Sequence, residues 1–284
     1  PEGMQGREVR GVVRLPSGEK VGDYHIPTCV DDYRAIYRAY LADPDIQDAR
    51  ARWPFISVWD NHEFSNRGWQ SQVAYDQVRP AQSLKVAANR AWYEYVPARV
   101  LQPTSGLDLQ QFHQPVVQDA PLTSFDTAGL SLEPNNLKAV HSLIIARDLS
   151  WGKHISLVLT DNRSYRSEPP LDGAGVAFGQ SKVPFFVPQD CLIALDAGRT
   201  FNEGQPPETI RFGSRDLPNP RRERPAGSML GAVQKDWFLK TIRESKSTWV
   251  LWGNSVGMLD LRADLANLPP DLRPNWPTEG FGVL

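Results

Sequence analysis

Residues 54–72 read P-F-I-S-V-W-D-N-H-E-F-S-N-R-G-W-Q-S-Q. An apolar run, Phe55 to Trp59, stops abruptly at an acid, an amide, an imidazole and a second acid. The run is too short for a helix and has no polar alternation, so a buried strand is expected there. Hard cations prefer oxygen donors, with imidazole joining for transition metals. Asp60, Asn61 and His62 offer both kinds. Successive side chains of an extended chain point to opposite faces, so Asp60 to Glu63 cannot all serve one ion. A tight turn at the strand end would let Asn61 reach a metal while His62 faces a substrate. The same residues would also make a plain structural turn, with Asp and Asn satisfying backbone groups.

Outward from this point the chain alternates helices and short strands. Val12–Leu15 and Glu19–Val21 around Pro16-Ser17-Gly18 predict a hairpin. Thr28 predicts an N-cap for a helix through Tyr33, Ile36, Tyr37 and Tyr40, and Asp43-Pro44 opens a second helix ending near Arg52. From Pro80 to Tyr95, Leu84, Ala87, Ala88, Ala91 and Trp92 recur at helical spacing, with Pro97 as the stop. Residues 100–138 are Pro- and Gln-rich and predict irregular chain. A second hairpin is expected from residues 142–147 and 154–160 around Ser150–Lys153. Cys191–Leu195 predicts a strand ending at Asp196. Met229–Glu244 predicts a helix burying Leu230, Val233, Trp237, Phe238 and Ile242, followed by a strand over Thr248–Trp252. Several expected strands thus end in polar groups: Asp60–Glu63, Asp161-Asn162-Arg163, Asp196 and Asn254. Ligands in sheets of this kind bind at the carboxyl ends of strands.

The 284 residues carry a net charge of −2, so no basic field would draw nucleic acid or an anionic membrane. With 40% hydrophobic residues there is material for a sizeable core, and nine Trp with 24 Pro suit a loop-rich enzyme body. No run approaches the length of a transmembrane helix. Cys29 and Cys191 have no metal-type spacing, and pairing and free thiols both stay open. Neither the first residues, Pro1–Gln5, nor the last, Gly282–Leu284, look like natural ends, and an internal or processed piece of a longer protein is expected.

The W-D-N-H-E block resembles the W-D-D-H-E signature of the PhoD-like alkaline phosphatases, a branch of the calcineurin-like metallophosphoesterases. Around it, Asp32-Tyr33-Arg34 with Tyr37, Tyr40 and Asp43-Pro44 is similar to that family's D-Y-R segment. Ala91–Pro97 is similar to its A-Y-Y-E-x-x-P stretch, and Leu159–Arg166 to its L-D-T-R-x-Y-R. Met229-Leu230-Gly231, Gln234-Lys235, Trp237 and Ser247–Trp249 follow its late helix and strand. Two family blocks depart. The late G-D-x-H block is absent, and Gly22-Asp23-Tyr24 copies the early G-D-x-x-Y block only superficially.

The resemblance implies a mixed α/β fold, a central β-sandwich flanked by helices and incomplete at both ends. One metallophosphatase-like catalytic domain over 1–284 is expected, lacking metal-ligand segments at its two termini. Asn61 would be a metal ligand, with Asp60 a second or outer ligand. His62 would meet phosphoryl oxygens or the leaving group, Glu63 would orient His62, and Arg163 would clamp phosphate or else pair with a nearby Asp. Two or more ions (calcium, iron, manganese or zinc) would activate water against a phosphate mono- or diester. Other segments of the same precursor would complete the site, in an extracytoplasmic protein. Two rivals stand beside this: a serine hydrolase using Ser255 in Gly253–Gly257, and a non-catalytic relic that keeps the fold without a full metal site.

Overall fold

The computed structural model describes residues 13, 15–21, 24–75, 78–98, 100, 112–171, 187–212, 215–258, 262–264, 267–271 and 281–283. The chain forms two compact units, interleaved in sequence: Pro1–Ser124, Ser131–Tyr165 and Val233–Ser255 in the first, and Phe125–Leu130, Arg166–Ala232 and Val256–Leu284 in the second. The class is mixed α/β, as expected, with the strands gathered into sheets of two or three.

The first unit opens with strands β1 (Glu19–Val21) and β2 (Tyr24–Ile26), paired antiparallel. Glu19–Val21 is the expected strand, but it pairs forward with Tyr24–Ile26; Val12 and Arg14 of the expected first arm lie outside the described residues. Helix α1 (Val30–Leu41) begins at Cys29, not at a Thr28 cap. The carboxylate is supplied from inside the helix. Fully buried Asp32 accepts the Ser17 N–H (2.8 Å), the Thr28 N–H (2.9 Å) and the Thr28 hydroxyl (3.1 Å). Helix α2 (Pro44–Arg52) follows the expected rule, with Asp43 Oδ1 accepting the Asp45 and Ile46 N–H groups.

Residues 54–60 have no regular secondary structure and pair with no strand among the described residues, against the expected buried strand. Phe55 and Ile56 are exposed, while Trp59 is 2% exposed. An apolar run reports only that some residues are buried; the ladder needs a partner edge, and none reaches this segment. Two short strands, β3 (Gln72–Ala74) and β4 (Val78–Pro80), then pair and lead into α3 (Gln82–Tyr95). Leu84, Ala88, Ala91 and Trp92 form its buried stripe, and α1 packs there through Tyr33. Arg34 of α1 grips both oxygens of Glu94 at 2.6 Å, and Tyr37 stacks on Tyr95 at 5.4 Å.

Helix α4 (Pro134–Val140) interrupts the region expected to be irregular, with Pro134 in its first turn, where a missing N–H does no harm. The second hairpin exists but is shifted: β5 (Arg147–Trp151) pairs antiparallel with β6 (Ile155–Leu159), and the turn sits at Gly152–His154.

In the second unit β7 (Val187–Pro188) leads into α5 (Gln189–Ala197), a helix where a strand was expected. Cys191, Ala194 and Leu195 are buried while Ile193 is 53% exposed, the three-and-four spacing of a helix packed on one side. Asp196 therefore rides on a helix, not at a strand tip. After the single turn α6 (Phe201–Gly204), β8 (Thr209–Phe212) pairs with β9 (Arg215–Pro218), and Ile210 and Phe212 complete this core. Buried Arg221 donates to Glu168 (2.8 Å) and to the Pro225 carbonyl (3.2 Å).

Helix α7 (Gly231–Glu244) buries Phe238 and Gln234 but leaves Val233 82% and Ile242 37% exposed, correcting two of the five expected core positions. Strand β10 (Trp249–Gly253) then pairs parallel with β6, completing the order β10-β6-β5. A Cβ on Gly253 would stand 2.5 Å from Leu159 Cδ2, so a larger residue there would have to displace the Leu159 side chain. Strands β11 (Arg262–Ala263) and β12 (Gly282–Val283) add to β7 in the second unit. Both cysteines are free.

Asp32→Ala would strand two backbone N–H groups and is expected to lower the unfolding free energy by roughly 2–4 kcal/mol. Urea denaturation at neutral pH checks this; a change below about 0.5 kcal/mol, the range of ordinary surface substitutions, would show that Asp32 does not hold the entry to α1.

Candidate active site

The parallel pairing of β6 with β10 sets Leu159 beside Gly253, so Thr160–Arg163 and Asn254 leave the sheet at one end. There the chain turns sharply. Asp161 Oδ1 accepts the Arg163 and Ser164 N–H groups, each at 2.9 Å, which curls residues 161–164 around the carboxylate. The same oxygen accepts the Trp59 indole N–H at 2.8 Å, across a sequence distance of 102 residues. Gln234 of α7 clasps the Asp161 backbone from the other side, accepting its N–H (2.7 Å) and donating to its carbonyl (2.8 Å). Trp252 Nε1 donates to Thr160 Oγ1 at 2.9 Å, which in turn donates to Asn162 Oδ1 at 2.8 Å.

Trp59 is the last buried residue before the polar turn, so Asp161 fixes the root of that turn. Within it, the Asn61 carbonyl accepts the N–H groups of Phe64 (3.0 Å) and Ser65 (2.7 Å). Glu63 Oε2 reaches back to the Asp60 N–H at 2.8 Å. The Tyr33 hydroxyl, whose pKa burial drives well above its usual value, donates to the Phe64 carbonyl. Beyond the turn Arg67 (φ 49°) and Gln70 (φ 48°) hold left-handed backbone, strained for residues with a Cβ, and the Gln70 N–H bonds the Arg163 carbonyl at 2.9 Å.

Most of the expected site residues are brought together. Arg163 Nε donates to Asp60 Oδ1 at 2.7 Å, and Nη2 stands 2.5 Å from the same oxygen in the salt bridge. With its amide oriented to satisfy both ends, Asn61 donates to Asp60 Oδ2 (3.0 Å) and accepts the Arg67 N–H (2.9 Å). His62 is exposed at the tip of the turn, and Glu63 is half-buried beneath it. Asp196 lies in the second unit, on α5. Ser255 Oγ is buried with no hydrogen-bond partner, and no helix follows it in residues 256–258, so the strand-turn-helix setting of a nucleophile elbow is missing. Of the remaining histidines, His154 Nδ1 lies 3.0 Å from Thr248 Oγ1, and His141 packs on Tyr165, burial lowering its pKa.

Oxygen donors and an imidazole in one turn suit a hard or borderline cation in kind. They are too few to make a centre. Among the described residues no three His, Cys, Asp or Glu side chains converge where an ion would sit. Asp60 and Asn61 are moreover engaged by Arg163, by Arg67 and by each other.

Residues 8–276 match the family of PhoD-like phosphatases. The chain belongs to that family. It is similar to alkaline phosphatase D of Bacillus subtilis (strain 168), with 31% identity over 84 residues, a stretch covering 29% of this chain and 14% of that protein. A solved structure of PhoD matches with 16% identity and a TM-score of 0.46, over 84% of this chain and 32% of its own. The matched stretches thus span a third or less of each of these PhoD relatives.

Sequence reasoning passed over three residues that build this PhoD-like site. Trp59 was read as strand core and Asp161 as one of several strand-tip acids, and nothing in their spacing shows that they bond. Lys85 did leave a signal: a charged residue on α3 beside Leu84 and one turn from Ala81 and Ala88 of its apolar stripe. Its side chain is 2% exposed. The Asp161 hub gives an ordered prediction. Asp161→Ala, which frees an indole and two backbone donors, is expected to destabilise by roughly 2–4 kcal/mol, and Trp59→Phe, which removes a single hydrogen bond, by about 1 kcal/mol. Thermal or urea unfolding of both variants checks the order, and equal losses would contradict it.

Proposed function

We propose that this chain carries part of the catalytic centre of a metal-dependent phosphatase that hydrolyses phosphate mono- or diesters. The observation that supports it best is the junction of the Asp60–Glu63 turn with Arg163 at the carboxyl end of β6, in a chain of the phosphatase family. Asn61 would give its amide oxygen to a metal, with Asp60 as a second or outer donor. Both would have to exchange their present partners, Arg67 and Arg163, for the ion. When bound, a metal would lower the pKa of a water and polarise a phosphoryl oxygen. Its identity among calcium, iron, manganese and zinc, and the presence of a second ion, belong to this proposal. So does the source of the remaining donors, elsewhere in the polypeptide.

The chain's own residues have distinct tasks. His62, exposed on the turn, would hydrogen-bond a phosphoryl oxygen or give a proton to the leaving group. Glu63 holds the turn through the Asp60 N–H and, by this reading, orients His62. Arg163, paired with Asp60, would turn its guanidinium to the phosphate oxygens once Asp60 serves the metal. An extracytoplasmic location is part of the same proposal. No helix among the described residues is long and apolar enough to cross a membrane.

The test uses the longest natural form of the protein and 4-nitrophenyl phosphate. Exhaustive chelation is expected to abolish turnover, with recovery on adding back one of the four metals. His62→Ala should lower kcat by about 10²–10⁴-fold, and Arg163→Met should act mainly through KM. Turnover that survives metal removal, or labelling of Ser255 by a fluorophosphonate, would overturn this reading in favour of a serine hydrolase.

A further inference from the structure

Lys85 is a buried cation with no evident reason to be in a core. It lies on the stripe of α3 that faces the candidate site, and its side chain is 2% exposed. Among the described residues no hydrogen bond and no ion pair within salt-bridge distance holds its ammonium. Desolvating such a charge costs several kcal/mol, and a Leu or Met would fill the same space without that penalty. What the ammonium does touch is specific. Nζ lies 4.4 Å from the Trp59 ring centroid and 5.2 Å from that of Phe64. These two aromatics bracket the polar turn, one immediately before Asp60 and one immediately after Glu63.

Each bracketing residue is also held elsewhere. Trp59 is fixed at its edge by Asp161 Oδ1 and packs edge-on against Trp92, two turns along α3 from Lys85, at 5.4 Å. Phe64 is fixed through its carbonyl by Tyr33. Lys85 lies over both rings, and a desolvated cation over an aromatic face contributes about 2 kcal/mol. The carboxylates of Asp161 and Glu63 lie close enough to favour its charge, and Asp161 Oδ2 is itself buried without a hydrogen-bond partner. Burial nonetheless pulls the Lys85 ammonium down to about 8, with those two carboxylates opposing the drop.

We propose that Lys85 is a positioning residue of the active site, clamping Trp59 and Phe64 so that Asp60 to Glu63 are presented in one fixed turn. It touches no reacting atom; it acts through the two rings. As a role in hydrolysis this rests on the phosphatase reading, whereas the clamp itself does not.

The experiment compares Lys85→Met, which keeps the stem and removes the charge, with Lys85→Arg, which keeps the charge. Amide hydrogen exchange over residues 59–65 and 4-nitrophenyl phosphate kinetics are measured on the same metal-supplemented full-length protein. In the Met variant the Phe64 and Ser65 amides are expected to exchange about 30-fold faster, the fold-change that roughly 2 kcal/mol of local stability represents. Its kcat should fall about 10- to 100-fold with KM nearly unchanged, the signature of a displaced turn with intact substrate affinity. The Arg variant should restore both. Parent-like exchange in the Met variant, or an Arg variant as loose as the Met one, overturns the clamp. Should the Met variant not fold, Phe64→Leu removes one ring alone; faster exchange confined to residues 60–65 supports the clamp, and unchanged exchange there overturns it. If the turn loosens but the parent shows no phosphatase activity, the clamp stands and the phosphatase reading falls. If the parent is active and the Met variant matches it in exchange and kcat, the reverse holds.

Discussion

Everything at the candidate site hangs on one carboxylate oxygen. Asp161 Oδ1 collects two backbone N–H groups from its own loop and the indole N–H of Trp59. The first two bonds curl the end of β6; the third ties that curl to a segment a hundred residues away. A carboxylate accepting three donors is strongly held, since hydrogen bonds to a charged acceptor are about twice as strong as neutral ones. Arg163 leaves this curl aimed at Asp60, so the salt bridge between the two loops follows from the hub. Gln234 then secures the Asp161 backbone to α7, and the site is referenced to the sheet and a helix at once.

How much of this the sequence discloses depends on the range of the interaction involved. Short-range features are legible: Asp43-Pro44 does cap α2, the apolar stripe of α3 is where the spacing puts it, and β6 lies within the expected 154–160, whereas β5 shares only Arg147 with the expected first arm. Features decided by tertiary contact are not. Cys191–Leu195 has the same apolar content as a strand, and only the exposure of Ile193 beside buried Cys191, Ala194 and Leu195 reveals a helix. Phe55–Trp59 looks like a buried strand because Trp59 is buried, yet Phe55 and Ile56 face outward with no ladder. Thr28 has the chemistry of a cap, but Asp32 takes its N–H and hydroxyl instead.

The site divides along the same line. The dense cluster at Asp60–Glu63 is visible because chemistry-bearing residues stand side by side, and Arg163 because it follows a strand end with two polar neighbours. Asp161, Trp59 and Lys85 carry no such mark, since each acts through partners far away in sequence. A buried lysine is the exception that a stricter reading would flag. On an otherwise apolar helical face, a charge is either solvated by snorkelling or held for a purpose, and 2% exposure excludes the first.

The charges around the turn also bear on what it needs. Around the turn Asp60 pairs with Arg163, Glu63 and Asp161 lie in the field of Lys85, and Arg67 is exposed nearby in sequence. Two of these cations are already committed, Arg163 to Asp60 and Lys85 to the rings of Trp59 and Phe64. A phosphate ester arriving with one or two negative charges therefore meets no surplus of positive charge. Phosphoryl transfer depends on stabilising charge on the phosphoryl oxygens, which a neutral constellation does poorly. A divalent cation seated by Asn61 would supply the missing charge and, by drawing on Asp60, would release the Arg163 guanidinium toward the substrate. On the proposed reading, metal binding and the freeing of the phosphate clamp would be coupled through the Asp60–Arg163 salt bridge.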